Sequence, residues 1–349
     1  MSGAAYGDQG LGLRVLGSTG LEVTPLCIGA SPLGNTPGGY RHDVALDDAL
    51  ATVRRTVEGP INFLDTGNNY GDSERRIGIV LRELGGIPDG FVLETKVDRD
   101  MTSGDFSGDR VRRSVHESLE RLGLERLGLV HLHDPENISF EEGIVRGGPL
   151  EAMRALQAEG LIAHLGVAGG PIDLLLRYIR TGAFAVVLTH NRFSLVAQTA
   201  EPLFAEAEAL GVAALNAAPF GGGVLAGAPS AQGFYAYRKA SPEILARIEA
   251  LKAISARHDV PLAAAALQFS LRDPRIVSTI VGVSQPECAS IGWSSAPAGR
   301  SAREMWDGCA RRACHQNTDC TATGGHDMSV NPAPQQTGEA VRFPAGFAW

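Results

Sequence analysis

Short apolar segments alternate with helical segments eight times along this chain, and this alternation constrains the fold more than any other feature. The apolar segments carry apolar residues on both faces, which is typical of parallel strands covered by helices on both sides. Eight such units in about 260 residues match a (β/α)8 barrel, the TIM barrel. We therefore predict an α/β barrel domain over residues 1–296. The predicted strands are 25–29, 61–65, 91–96, 127–133, 161–167, 184–188, 212–217 and 276–281, and the predicted helices are 43–58, 73–84, 108–122, 150–159, 172–180, 201–210, 242–257 and 262–271.

A short N-terminal β-hairpin is predicted ahead of the barrel, with strands at 13–16 and 21–23 around a Gly-Ser-Thr-Gly turn. The alternative fold is a doubly wound open sheet, which needs a glycine fingerprint in its first β–α turn. The first turn here, residues 29–34, lacks that fingerprint. A GxGxxA string at 221–226 follows the seventh predicted strand, and such strings are common in a chain with 43 glycines.

The composition changes at the C-terminal end of the chain. Residues 297–349 contain no Leu or Ile, and only two Val and two Phe. A segment this poor in large apolar side chains cannot form a packed core. We predict an atypical, low-apolar C-terminal tail that is poorly ordered.

Charge and hydropathy exclude several classes of protein. Lys and Arg number 31 against 39 Asp and Glu, and a net charge of −8 argues against a nucleic-acid partner. No apolar run reaches the roughly 18 residues of a membrane span, and the first ten residues do not read as a signal peptide. We therefore expect no membrane partner and a cytoplasmic location. Five cysteines without CxxC spacing predict no metal site.

Four proton-bearing side chains end or follow neighbouring strands. In a barrel of this type the active site lies at the C-terminal ends of the strands. Asp65 ends the second predicted strand, Tyr70 lies in the loop after it, and Lys96 and His133 end the third and fourth. A nearby ammonium lowers the pKa of a phenol, and a carboxylate keeps that ammonium protonated. We therefore predict that Lys96 and Asp65 tune Tyr70 as general acid or base, while His133 orients a substrate oxygen.

The motifs around these residues resemble those of the aldo-keto reductase superfamily, over residues 13–287. They are Asp65-Thr66-(x)3-Tyr70-Gly71-(x)2-Glu74, Lys96 closing its strand, Ser118-Leu119-x-Arg121-Leu122, and the run from Leu129 to Pro135. The resemblance implies a catalytic tetrad of Asp65, Tyr70, Lys96 and His133. It also implies hydride transfer with a nicotinamide cofactor that lies across the barrel mouth.

Segments 29–35 and 216–223 resemble the sugar-1-dehydrogenase branch, which includes L-fucose, D-threo-aldose and L-galactose dehydrogenases. This implies oxidation of an aldose at C1 to a lactone, or reduction of an aldehyde, by a monomer or homo-oligomer. Its partner would be a small-molecule aldose or aldehyde. The positions that the resemblance assigns to the NAD or NADP cofactor are Ala168, Gly169, Asn191, Ala217, Phe220, Gly222, Gly282, Ser284 and Gln285.

Several positions depart from the pattern of the superfamily, among them Asn191, which takes the place of the usual Gln. Ala168 and Gly169 replace the usual Ser-Asn that holds the carboxamide, and Ala217 replaces a Tyr that many members stack on the nicotinamide. Cys288 occupies the position of an Arg that often binds the 2′-phosphate of NADP. A dianionic phosphate without a cationic partner is poorly held, so the sequence favours NAD.

Two other functions remain as alternatives. One is a non-catalytic or cofactor-impaired relative that binds ligands on the same scaffold, because fold does not fix function. The other is a metal-dependent hydrolase barrel with ligands from Lys96, His131, His133, His164 and His190. We favour a structural role for His131, in the core or in the wall of the pocket, since it lies one layer below His133.

Overall fold

The computed structural model describes residue 6 and residues 11–36 and 43–286. The strands are β1 (Arg14–Val15), β2 (Glu22–Val23), β3 (Leu26–Gly29), β4 (Phe63–Asp65), β5 (Val92–Val97), β6 (Leu127–His133), β7 (Ile162–Gly169), β8 (Val186–His190), β9 (Ala213–Ala217), β10 (Phe234–Tyr235), β11 (Arg238–Lys239) and β12 (Ile276–Gly282). The helices are α1 (Leu46–Glu58), α2 (Ser73–Leu84), α3 (Gly108–Leu122), α4 (Phe140–Ile144), α5 (Pro149–Ala158), α6 (Ile172–Ile179), α7 (Glu201–Leu210), α8 (Pro242–Arg257) and α9 (Leu262–Leu271).

Eight parallel strands close into a barrel in the order β12-β3-β4-β5-β6-β7-β8-β9. The predicted (β/α)8 barrel is therefore confirmed. The open doubly wound sheet is excluded, because β12 pairs with β3 on one side and with β9 on the other. The register aligns Asp65 with Glu94 and Lys96 with His131, so the ends of β4, β5 and β6 meet at one side of the mouth.

Local sequence accounts for the helices that surround the barrel. At the start of α3, the Ser107 hydroxyl accepts a hydrogen bond from the Arg110 amide, and Gly123 ends the helix in the left-handed region. The apolar face of α3 packs Val111 and Val115 against the sheet with no exposed surface. Alternating strand residues point to the helices or into the barrel, so the core has an outer and an inner layer.

The predicted N-terminal hairpin is confirmed as β1 and β2, and it covers the end of the barrel opposite the mouth. Leu16 and Val23 are fully buried and belong to the inner layer, beside residues that begin barrel strands. Arg14 Nη1 donates a hydrogen bond of 2.7 Å to the Ile276 carbonyl at the start of β12. The hairpin is thereby tied to the last strand of the barrel.

Within the described ranges, no helix is both long and apolar enough to cross a membrane. The predicted tail (297–349), the domain boundary at residue 296 and Cys288 all lie outside the described residues.

Candidate active site

The loop after β4 carries Tyr70 to the mouth of the barrel. The Tyr70 amide donates to the Gly67 carbonyl over 3.1 Å, and the Asp72 amide donates to the Gly34 carbonyl over 2.8 Å. A Cβ atom on Gly34 would overlap with the Tyr70 carbonyl, so the two loops approach this closely only because residue 34 is glycine. The backbone of the loop that carries Tyr70 is thus held in place on both sides.

Lys96 connects Tyr70 to Asp65. Its ammonium group is 1% exposed, pairs with Asp65, and donates a hydrogen bond of 2.6 Å to the Thr66 carbonyl. The same nitrogen lies 4.6 Å from the centroid of the Tyr70 ring, at the range of a cation–π contact. Three of the four predicted tetrad residues therefore form one contact chain.

His133 completes the cluster from β6. Its ring meets the Tyr70 ring edge-on, with centroids 5.7 Å apart and an interplanar angle of 83°. Its Nδ1 lies 2.6 Å from Asp98 Oδ1, while Asp98 Oδ2 accepts a hydrogen bond of 2.9 Å from the Asn69 amide. Asp98 therefore fixes the imidazole and the Tyr70 loop together, and Nε2 of His133 lies 3.6 Å from Asp134 Oδ1.

The charges around the tetrad follow from burial and from neighbouring carboxylates. Burial works against protonation of His133, but Asp134 and Asp98 raise its pKa to about 9. Burial raises the pKa of Asp65 to about 6 against the opposing effect of Lys96, so this carboxyl is mainly ionised at neutral pH. Lys96 therefore keeps an anionic partner.

The predicted lowering of the Tyr70 pKa is wrong for this structure. Burial, followed by Asp65, Asp134 and Asp98, raises the pKa of the phenol well above its usual value near 10. The Lys96 ammonium faces the ring, and its hydrogen bonds go to Asp65 and the Thr66 carbonyl. Tyr70 is therefore a phenol at neutral pH and can act as a proton donor.

A second buried pair lies below the tetrad. His131 is fully buried, as predicted, and its Nε2 lies 2.9 Å from Glu94 Oε2. Sequence reasoning singled out neither Glu94 nor Asp98. Each stands two residues from Lys96, Glu94 within β5 and Asp98 just after it, and this spacing, which favours the same side of the strand as Lys96, was the available signal.

Asn191 has the clearest feature of a cofactor contact among the predicted positions. It follows β8 with a left-handed backbone (φ 57°) and is buried, and its side-chain Oδ1 has no hydrogen-bond partner. A buried amide oxygen without a donor is costly unless a ligand supplies one. Ala217 lies beside it at the end of β9, and the backbone amide of Asn191 donates a hydrogen bond of 3.2 Å to the Ala217 carbonyl.

The other predicted cofactor positions differ in how accessible they are. Gly282 is exposed at the end of β12, and Ser284 and Gln285 after it are half-buried, as is Gly222. Ala168 and Gly169 are buried within β7, and Phe220 is buried in the outer layer of the core, with 8% of its surface exposed.

One group in the described part of the chain brings three potential metal ligands together. Asp134, Glu136 and His190 offer atoms that lie within 4.8 Å of one another. The ligand set of the metal-hydrolase alternative is not assembled, because His164 lies half-buried in the middle of β7 and His131 contacts Glu94. That the protein binds no metal stays a prediction.

Comparison with known proteins adds to this geometry. A sequence model described as "Aldo/keto reductase family" matches residues 25–290. L-Galactose dehydrogenase of Arabidopsis thaliana is 35% identical over 277 residues, which are 78% of this chain and 84% of the plant protein. D-threo-Aldose 1-dehydrogenase of a Pseudomonas species is 33% identical over 299 residues, 77% of this chain and 88% of that protein.

A solved structure shares the fold. The holo form of an aldo-keto reductase from Bacillus halodurans aligns with a TM-score of 0.66 at 23% identity. The alignment covers 85% of this chain and 96% of that one. At this identity the likeness shows the barrel architecture alone.

Proposed function

Because the chain belongs to the aldo/keto reductase family, we propose that it is a nicotinamide-dependent oxidoreductase acting on an aldose or an aldehyde. The reaction is oxidation of an aldose at C1 to a lactone, or the reduction of an aldehyde. One observation carries the proposal: Tyr70 stands at the barrel mouth between the Lys96 ammonium and the His133 ring. Relatives named as sugar dehydrogenases support the aldose class.

The side chains at the mouth supply the proton chemistry. In the reduction, the Tyr70 phenol donates its proton to the carbonyl oxygen, and the Lys96 ammonium over the ring stabilises the phenolate that remains. Protonated His133, held by Asp98, directs Nε2 toward the same oxygen and stabilises developing negative charge there. In the oxidation the same groups act in reverse. A nicotinamide cofactor, when bound, supplies or accepts the hydride.

The residues around the mouth fit such a cofactor. Asn191 offers a buried amide oxygen without a donor, which suits the carboxamide of a nicotinamide. Ser284 and Gln285 follow β12, at positions that the resemblance assigns to the cofactor. The chain contains no Lys or Arg from Ile276 to Gly299, so we infer that NAD is preferred to NADP.

Titration of the purified protein with NADH and with NADPH, followed by fluorescence, tests the proposal. Saturable binding of NADH with weaker binding of NADPH is expected. Assays of aldose oxidation with NAD, and of aldehyde reduction with NADH, then test turnover. Binding of neither cofactor would contradict the proposal and favour the cofactor-impaired alternative, whereas tighter binding of NADPH would overturn only the NAD preference.

A further inference from the structure

Glu94 is a fully buried carboxyl that the proposed reaction does not use. It lies inside the barrel on β5, two residues before Lys96, and none of its side chain is exposed. His131 faces it from β6 and is also fully buried, with Nε2 2.9 Å from Glu94 Oε2. A carboxyl in such a place has to be neutralised or paired, because burial of an isolated charge costs far more than burial of a neutral acid.

The second carboxyl oxygen of Glu94, Oε1, is a candidate position for a proton. Glu94 Oε1 is buried and no side chain or backbone group donates a hydrogen bond to it. Glu94 pairs in register with Asp65 on β4, and each of the two carboxyl groups affects the pKa of the other. Two ionised carboxylates only accept hydrogen bonds, whereas a protonated carboxyl can donate one to its neighbour. A proton on Glu94 Oε1 would therefore satisfy both groups.

The charges that face Glu94 place this proton on Glu94 rather than on Asp65. Asp65 already accepts the Lys96 ammonium, whereas the facing His131 is neutral because burial lowers its pKa to about 3. The Cys27 thiol from β3 stays neutral because burial raises its pKa well above 9. Burial raises the pKa of Glu94 itself to about 7, against the opposing effects of Lys96 and Asp65. Ionised Glu94 would add an unpaired negative charge beside a pair that is already neutral.

We propose that Glu94 is a positioning residue that holds a proton and donates it to Asp65, which keeps Asp65 as the single anionic partner of Lys96. His131 supports this arrangement by donating its Nε2–H to Glu94 Oε2. Its ring fits because residue 166 is glycine; a Cβ atom there would overlap with the imidazole. A hydrogen-bonded chain then runs from His131 through Glu94 and Asp65 to Lys96.

The proposal has a consequence for catalysis that rests on the proposed function. When Glu94 loses its proton, a second carboxylate competes with Asp65 for the Lys96 ammonium. The ammonium is drawn away from the Tyr70 ring, which destabilises the phenolate that forms in the reduction. The kcat of the reduction is therefore expected to fall as the pH rises past about 7, the pKa of Glu94.

Infrared spectroscopy of the protein without substrate tests the proton directly. At about pH 6 ordinary carboxyls are ionised, since their pKa values lie near 4, and a buried protonated carboxyl shows a separate carbonyl band. Labelling of the glutamate carboxyls with ¹³C distinguishes the band of Glu94 from that of Asp65, whose pKa is about 6. The wild-type protein is expected to show this band and Glu94→Gln to lose it. Glu74→Gln is the matched control, because Glu74 is equally buried but is bonded to Thr95 and Arg121; this variant is expected to keep the band.

A measurement without any substitution covers the case in which Glu94→Gln does not fold. In wild-type protein labelled with ¹³C at glutamate carboxyls, one side-chain resonance is expected to titrate near pH 7. Absence of that resonance, or an infrared band unchanged in Glu94→Gln, would overturn the proposal. Neither readout needs turnover, so failure of the proposed enzyme function would leave them interpretable.

The pH profile of kcat supplies the functional readout. Gln can donate to Asp65 and accept from His131 at every pH, so it imitates the protonated form of Glu94. The variant is expected to retain kcat below neutral pH and to lose the fall above pH 7. An active variant that keeps the wild-type profile would overturn the positioning role.

Discussion

Tyr70 holds its proton more tightly than a free phenol does, because burial and three carboxylates oppose its ionisation. This state suits the reductive direction, in which the phenol donates. Replacement of Tyr70 by Phe removes the donor and keeps the ring that Lys96 and His133 contact. We expect kcat of Tyr70→Phe to fall by about 10²–10⁴-fold, the usual contribution of a general acid.

Steady-state rates and cofactor titration check this prediction together. Because the hydroxyl is the only change, the affinity for NADH is expected to stay near the wild-type value. A Tyr70→Phe variant that turns over at the wild-type rate would remove Tyr70 from the mechanism.

Asp98 is expected to control the charge of His133. Asp134 and Asp98 raise the pKa of His133 to about 9, against the effect of burial. Removal of the Asp98 charge in Asp98→Asn is therefore expected to lower the pKa of His133 by about 1–3 units. A ¹⁵N NMR titration of the histidine ring measures this shift, and an unchanged pKa would contradict the assigned pairing.

The raised pKa of His133 also makes the free energy of unfolding depend on pH. His133 binds its proton more tightly in the folded protein, with a pKa of about 9 against 6.5 in the unfolded chain. Its contribution to the free energy of unfolding is full below pH 6.5 and is lost as the pH rises through 9. Denaturant unfolding at several pH values is expected to show a shallower decline for Asp98→Asn in this window.

At the residue scale, the proximity of Asp65, Tyr70, Lys96 and His133 could be predicted because strand ends in a barrel converge. Asp98 and Glu94 were not singled out, because their two-residue spacing from Lys96 indicates the side of the strand but not the partner that each carboxyl meets. Their partners come from β6 and β4, so only the folded register shows which carboxyl meets which histidine. The prediction that the Tyr70 pKa is lowered was wrong for a related reason, because the sequence indicates neighbouring charges but not the depth of burial.

At the scale of elements, apolar runs between glycines predicted the positions of the barrel strands to within a few residues, because such strands are buried on both faces. The short helix α4 was missed, although Ser139 and Glu142 form a capping box that the sequence displays. Ser73 begins α2, after Asp72, and its hydroxyl donates to the Ala30 carbonyl over 2.9 Å. That contact joins α2 to the loop after β3, a partner 43 residues away.

The contact between the loop after β3 and the Tyr70 loop is expected to be sensitive to one methyl group. In Gly34→Ala, the new Cβ would overlap with the Tyr70 backbone carbonyl, so one of the two loops must move. We expect a loss of about 1–3 kcal/mol in stability, the usual cost of overpacking, together with reduced kcat.

Gly128→Ala is the matched control for this substitution. A Cβ at Gly128 in β6 would meet its nearest neighbour, the Leu93 carbonyl, at 3.8 Å, which is ordinary contact. Thermal unfolding of both variants is the measurement. Equal effects at the two glycines would show that the loop contact is not close.

At the scale of the whole molecule, Arg14 joins the two ends of the described chain. Its guanidinium donates to the Ile276 carbonyl over 2.7 Å and to the Leu271 carbonyl over 3.4 Å. Charged hydrogen bonds of this kind contribute about 1.5–3 kcal/mol when buried, and Arg14 is only partly so. We expect Arg14→Ala to lower the free energy of unfolding by about 1–2 kcal/mol.

Arg54→Ala serves as the comparison, because Arg54 forms its ion pair with Glu83 at the surface, where both side chains are 40–48% exposed. Surface pairs contribute about 1 kcal/mol or less. Urea unfolding that ranks Arg54→Ala above Arg14→Ala in cost would show that the hairpin is not anchored through Arg14.

The hairpin below the barrel also affects the timing of proton exchange. Leu16 and Val23 pack beneath the inner layer and close the barrel at the end opposite the mouth. A hydron on Glu94 can then leave only past Asp65, Lys96 and the groups above them. Transfer into heavy water should relabel this site slowly, and more slowly still whenever a molecule sits in the mouth. The hairpin that closes this end of the barrel would thus slow the exchange of the Glu94 proton with solvent.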